Sequence, residues 1–317
     1  MKPNIWISSP QAEELLAKQL ATWPLAEKNY RALRQVRMRR FELDDFEIKV
    51  QFNPARIASS GARTDALSLS KRPCFLCPDQ LPVEQERLPF GFRYLVLCNP
   101  YPIFPEHFTI PSREHAPQQI ASRFGDWLDL AQRLEGFTLF YNGPACGASA
   151  PDHAHFQAVT PSVMPIDYEI GPWMEKHGHT IVGKEDGRLS YYTHYLRNGF
   201  VIEARSRETA SELFRAVYGA MDLQPGETEP RMNLFGRFLG GMWRLVVIPR
   251  RQHRPRQFYA AEPERILSSP GAADMGGLFI TARLEDYEKM SAELLRNIYE
   301  QVCLSDEEVA EIAGRIR

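Results

Sequence analysis

Two stretches of this chain, about ninety residues apart, carry the same succession of patterns. The first reads as strand (93–99), strand (108–110), helix (116–134), strand (137–142), a small-residue loop and strand (153–159). The second reads as strand (200–203), helix (207–221), strand (232–236) and strand (242–249). Apolar residues at Ile120, Phe124, Trp127, Leu128, Ala131 and Leu134 give the first helix its period, and Leu213, Phe214 and Val217 give the second. Short strands that each bury one face, interrupted by one helix, suit an antiparallel sheet with that helix packed on it. Two copies predict a pseudo-symmetric pair and not a solenoid. The expected fold class is α+β, with residues 1–165 as one half and 166–317 as the other.

Ser9-Pro10 reads as an N-cap followed by Pro at N1, opening a helix to about residue 22. A second helix is predicted over 25–37, and 41–52 alternates as a strand. A turn-rich loop, 53–60, follows. Towards the C-terminus come a Gly-rich stretch at 271–277, a strand at 278–280, and helices at 284–289 and 305–317.

The run His153-Ala154-His155-Phe156-Gln157 closes the loop Asn142-Gly143-Pro144-Ala145-Cys146-Gly147-Ala148-Ser149. A strand has a side-chain period of two, so His153, His155 and Gln157 are expected on one face, with Ala154, Phe156 and Ala158 on the apolar other. A loop of small residues lets backbone N–H groups approach an anion. Imidazoles beside such a loop suit nucleophilic attack on phosphorus.

The formal net charge of -2 over 317 residues offers no electrostatic case for nucleic-acid binding. Basic residues cluster at 34–40 and 250–256; each cluster reads as a solvated face, with a role near polyphosphate as the sharper alternative for the second. No apolar leader occupies the first twenty residues and no stretch approaches a membrane span. The five cysteines are irregularly spaced, which fits a reducing, cytoplasmic setting without a disulfide framework.

Cys74-Phe75-Leu76-Cys77 lies between two prolines. A CxxC pair is redox-active or half of a metal site. Pro78 follows at once and no helical period continues, so a turn holding two thiolates suits zinc better, and tetrahedral zinc requires two more N or S ligands. His115, His177, His179, His194 and His253 read as surface or core histidines, and Cys98, Cys146 and Cys303 as buried free thiols.

The order CxxC, Pro105-Glu106-His107, His-x-His-x-Gln, within about eighty residues, resembles the histidine-triad superfamily in the branch where the last histidine is glutamine. That branch holds galactose-1-phosphate uridylyltransferase, the diadenosine tetraphosphate phosphorylases and the GDP-hexose phosphorylases. The resemblance implies two tandem histidine-triad-like units, the second having lost its histidines, with the echo of His155 near 243–245. It implies that His155 takes a nucleotide's α-phosphate as a covalent intermediate. It further implies a structural zinc on Cys74, Cys77, His107 and His153. Arg56 and Ser60, in a loop that lies against substrate in the family, become candidates for phosphate or sugar contacts, with a surface loop as the bland alternative. Asn99, Asn142, Gly147, Ser149 and His153 are further candidates for substrate contacts.

The implied reaction is two-step nucleotidyl transfer from a nucleotide donor to phosphate or a sugar phosphate. Gln157 would donate to a nonbridging oxygen, Gly147 to Ser149 would supply further donors, and His155 needs its other ring nitrogen held, with a carbonyl in 142–147 as the expected acceptor. Ala154, Phe156 and Ser149 match the phosphorylases better than the uridylyltransferase, so a dinucleoside-polyphosphate phosphorylase of the ATP adenylyltransferase type is expected. A hexose-1-phosphate uridylyltransferase or GDP-hexose phosphorylase is the near alternative. A hydrolase, or a zinc-stabilised nucleotide-binding module without turnover, is the more distant one. No membrane or nucleic-acid partner is expected, and a homodimer, with the second half completing its own or a partner's site, is left open.

Overall fold

The computed structural model describes residues 6–57 and 72–316. It opens with helices Ser9–Thr22 and Pro24–Leu33. Ser8, one residue before the expected cap, starts the first; its N–H donates to Gln11 Oε1 at 2.9 Å. The alternating segment 41–52 is not one strand. It folds at Asp44, whose φ is 55°, into a hairpin of β1 (Arg37–Leu43) and β2 (Phe46–Phe52). Polar Asp44-Asp45 tolerates the left-handed turn conformation. β2 then pairs in parallel with β13 (Leu278–Thr281), so the late Gly-rich stretch returns to the N-terminal region.

The large sheet holds ten strands. In chain order they are β3 (Arg87–Phe90), β4 (Tyr94–Cys98), β5 (His107–Pro111), β6 (Thr138–Asn142), β7 (His155–Val159), β8 (Gly178–Lys184), β9 (Gly187–Tyr192), β10 (Gly199–Ala204), β11 (Met232–Leu239) and β12 (Met242–Pro249). Across the sheet the order is 3-4-5-7-6 followed by 11-12-10-9-8. Each group of five strands thus has one order, read in opposite directions from the seam between β6 and β11. Helix Phe124–Arg133 leads into β6 and helix Arg207–Ala220 into β11. The two helices meet through stacked Phe124 and Phe214 rings, 3.8 Å between centroids.

The expected succession of strands and helices is therefore present, with additions. The segment between 160 and 199, to which the sequence patterns assign no element, contains helix Ile166–His177 and the hairpin of β8 and β9. Helix Ala292–Val302 is likewise additional. The helix expected over 116–134 begins only at Phe124 after a 3-10 turn, Ala121–Arg123. Its missing first part is engaged elsewhere: the Ala116 carbonyl accepts from Ala154 N–H at 2.7 Å, and Gln118 braces two strands.

Alternation along the strands separates two cores. Phe108, Ile110, Phe156 and Ala158 face the layer of helices 9–22, 124–133 and 207–220. Phe104, Phe140, Phe235, Val246 and Ile248 pack on the other side, with the small sheet and helices 166–177 and 292–302. Among the described residues, no helix is long and apolar enough to cross a membrane.

Candidate active site and metal centre

His155 is the first residue of β7 and is buried. Gln118 fixes it at the backbone: Gln118 Oε1 accepts from His155 N–H at 2.8 Å, and Gln118 Nε2 donates to the carbonyls of His155 (3.0 Å) and Asn142 (2.9 Å). His155 Nδ1–H donates to the His153 carbonyl at 2.8 Å. That carbonyl, not one in 142–147, sets the tautomer. It leaves the Nε2 lone pair for the cavity. Burial is the main cause that pushes the imidazole down to about 4, so near neutrality the ring is uncharged.

Gln157 follows on the same face, as the period of two requires. His107, on the neighbouring strand, controls it. His107 Nδ1 accepts from the Ile103 N–H at 3.2 Å, so its proton sits on Nε2 and donates to Gln157 Oε1 at 2.8 Å. With its oxygen engaged, Gln157 has its amide N–H groups left to donate. Burial pushes His107 down to about 3, which keeps this role neutral. Asn99 supports the same region, donating to Thr109 Oγ1 at 3.0 Å and accepting from Tyr101 N–H at 2.9 Å.

A cavity of about 520 Å³ opens onto these groups, within the range that holds small-molecule ligands. Arg56, Asn99, Asn142, Gly147, Ser149, His155 and Gln157 all line it. Trp23, Leu25, Phe75, Leu81, Leu97 and Tyr101 add apolar side chains to its wall. Ser60 lies outside the described residues. The small-residue loop 142–149 meets the late Gly-rich stretch closely. Gly147 has φ +92°, and a Cβ there would lie 2.3 Å from Gly271 Cα. Asn142 Oδ1 accepts from Ala272 N–H at 2.7 Å and from Asn233 Nδ2 at 2.9 Å. Cys146 is buried, with its thiol pushed up to about 12 by burial, which makes it inert.

Part of the cavity wall comes from the 250–256 cluster and the segment after it, residues without an assigned site role in the sequence beyond the polyphosphate alternative for that cluster. His253, Arg254, Ser269 and Asp274 line it too. Ser269 Oγ lies 2.8 Å from His253 Nε2 and accepts from Arg254 Nε at 3.0 Å. Asp274 accepts from Gly271 N–H (2.8 Å) and Ile280 N–H (3.0 Å). The basic cluster 250–256 was the one available signal for His253 and Arg254. Gln118 had none, because it acts through distant backbone.

The metal-ligand set needs one correction. His107 does not approach the cysteines. Cys74, Cys77, His115 and His153 instead offer four ligand atoms within 4.8 Å of one another. Cys74 Sγ lies 3.2 Å from His153 Nδ1, and Cys77 Sγ lies 3.3 Å from His115 Nδ1 and 3.6 Å from His153 Nδ1. Tetrahedral zinc with S and N ligands has edges of about 3.5 Å, so the cluster fits such an ion. His153 Nε2 sits 2.8 Å from the Ser112 carbonyl, which accepts its proton and leaves Nδ1 for a metal. The register explains the exchange of histidines. Pro111 pairs with His155 and His107 with Val159, so His107 is four residues up β5 from the end where His153 lies. The same geometry removes His153 from the expected substrate contacts. It precedes β7, lies outside the cavity lining and turns its ring to the cysteines.

Residues 15–160 match the family described as "Domain of unknown function (DUF4922)". No curated protein sequence matches. Among solved structures, yeast Ap4A phosphorylase Apa2 in complex with Ap4A is similar at 16% identity and TM-score 0.58, covering 94% of this chain and 99% of that chain. The same yeast protein in complex with AMP is similar at 17% identity and TM-score 0.55, covering 92% and 97%. The fold implied by the resemblance, that of the diadenosine tetraphosphate phosphorylase branch, is therefore the fold of this chain along almost its whole length.

Proposed function

We propose that the chain is a nucleotidyltransferase that works through a covalent nucleotidyl-histidine, and that its donor is a dinucleoside polyphosphate. The carrying observation is His155: neutral, held at Nδ1, with Nε2 free towards a cavity that also receives the Gln157 amide. His155 Nε2 attacks the α-phosphorus, an N–P bond forms and the bridging P–O bond breaks. The remaining nucleoside polyphosphate leaves as an oxyanion. An oxygen of inorganic phosphate then attacks the same phosphorus and the N–P bond breaks, giving a nucleoside diphosphate and the free imidazole. The proton stays on Nδ1 throughout, donated to the His153 carbonyl. Gln157 donates to a nonbridging oxygen, and 147–149 supply further donors where charge develops.

The remaining parts of the reading follow from the same geometry. The apolar side chains of Trp23, Leu25 and Tyr101 in the wall would take the base, and Arg56 the polyphosphate. Zinc on Cys74, Cys77, His115 and His153 would supply a fixed anchor for the His153 peptide and take no chemical step. The two groups of five strands would be tandem histidine-triad-like units divided near residue 165, the second degenerate. The likeness to a phosphorylase recorded with Ap4A and with AMP supports an adenine nucleotide. The cysteine-histidine cluster favours, as a second reading, a nucleotide-sugar donor like that of the uridylyltransferase.

The test is product analysis. Incubation with diadenosine tetraphosphate and inorganic phosphate should yield ADP and ATP in equal amounts, with no ADP when phosphate is omitted. UDP- and GDP-sugars in parallel reactions decide the second reading. No phosphate-dependent product from any donor would contradict the proposal.

A further inference from the structure

The sheet's two strand groups make a second cavity comparable with the first. At the seam, Phe140 of β6 pairs with Phe235 of β11. One strand out, Phe140 pairs with Gln157 on β7 and Phe235 with Val246 on β12. Val246 thus takes the place of Gln157, and Arg244, two residues earlier on the same face, takes that of His155. By the same correspondence Arg237 takes the place of Asn142. The first cavity is lined by Phe140, Asn142, His155 and Gln157. A second, of about 170 Å³, is lined by Phe235, Arg237, Arg244 and Val246.

Its charges are unusual for an empty fold position. Arg237 and Arg244 are directly opposed across the two strands, and like charges so placed repel. Arg244 is paired with Glu203 at 2.8 Å, but that carboxylate also pairs with Arg188. Arg237 Nε is buried with no hydrogen-bond partner among the described residues. The nearby acid, Asp167, is already committed to Thr138 Oγ1 (3.0 Å) and Ser162 N–H (2.9 Å). Asp167 lines the cavity as well, so the two guanidiniums stand against two carboxylates, Asp167 and the shared Glu203; Arg237, whose Nε has no partner among the described residues, keeps a fork for bidentate oxyanion recognition. The size is about a third of the catalytic cavity and below the roughly 300 Å³ at which drug-sized ligand pockets begin.

We infer that this mirror cavity is a second, non-catalytic binding site for a phosphate group, taking inorganic phosphate or a small sugar phosphate between Arg237 and Arg244. It has no imidazole, so it binds without transfer. This inference does not depend on which reaction occurs at His155.

The experiment uses the full chain and inorganic phosphate. Crystals soaked in selenate, an anomalous mimic of small oxyanions, should show a peak between the two guanidiniums. In solution, radiolabelled phosphate should fill this site in wild type, and Arg237→Gln should weaken that class of binding by about tenfold or more. Binding at the His155 cavity should change less than twofold. Arg237→Lys keeps the charge without the fork and should fall between; it decides the matter if the Gln variant does not fold. A hexose phosphate that displaces phosphate from this site would identify the ligand as the sugar phosphate, and failure to displace would identify inorganic phosphate. No anion in the mirror cavity at about 10 mM, or phosphate binding indifferent to both substitutions, would overturn the inference.

Discussion

His107 and His115 are eight residues apart and do unrelated work. His107 presents Nε2–H to Gln157, while His115 turns Nδ1 to Cys77. Substituting each therefore separates two properties. His115→Ala should take the bound metal from about one ion per chain towards none. His107→Phe should keep the metal but lower kcat by roughly tenfold, because the Gln157 amide loses its orientation. Metal analysis and steady-state kinetics on the two purified variants check both. Metal loss in His107→Phe with retention in His115→Ala would reverse the assignment. These roles also mark how far residues could be read in the sequence. The local alternation placed His155 and Gln157 together, because period two needs no long-range information. Choosing between His107 and His115 needed the register of β5 on β7, which spacing alone does not contain.

Among the elements, the cavity is shaped by contact between the small-residue loop 142–149 and the segment 271–277. Gly147 sits against Gly271 with a left-handed φ. Gly147→Ala adds a methyl to a position with no room and a disfavoured backbone. It should cost about 1–3 kcal/mol, seen as a lower Tm, together with a large loss of turnover. Unchanged Tm and turnover would mean that the loop has room to move. Elements with strong periodicity, such as helix Arg207–Ala220 and β12, stand where the sequence puts them. The first part of the expected 116–134 helix does not, since Gln118 and Ala116 bond to β6, β7 and Ala154 instead of continuing a helix. The β8–β9 hairpin escaped notice because its outer strand is largely exposed and lacks alternating apolar residues.

Across the whole molecule, the second half reaches into the first through Glu229. Its carboxylate is buried, accepts from the Ile120 N–H at 2.8 Å and hydrogen-bonds the Tyr141 hydroxyl. Burial pushes this carboxyl up from 4.5 to about 7. A carboxyl raised in the folded state stabilises the fold fully below the unfolded value, and the benefit is lost as pH rises through the folded one. Stability should thus fall by at most roughly 3 kcal/mol between about pH 4.5 and pH 7, and Glu229→Gln should flatten that slope. Denaturant titrations of both proteins across this range check it; parallel slopes would contradict the coupling. The repeated order of strands was legible because each half repeats its own local patterns. That the halves join edge to edge through β6 and β11 was not, because a seam between two equally apolar strands leaves no mark in either.

The chemistry proposed for His155 Nε2 is the formation of a phosphorus–nitrogen bond. Intact-protein mass spectrometry after brief mixing with diadenosine tetraphosphate, UDP-sugars or GDP-sugars, without acceptor, tests it directly. Wild type should carry one nucleoside-monophosphate adduct, discharged by inorganic phosphate or a sugar phosphate, and His155→Ala of unchanged Tm should carry none. An adduct that persists in His155→Ala, or turnover by that variant near the wild-type rate, would contradict it.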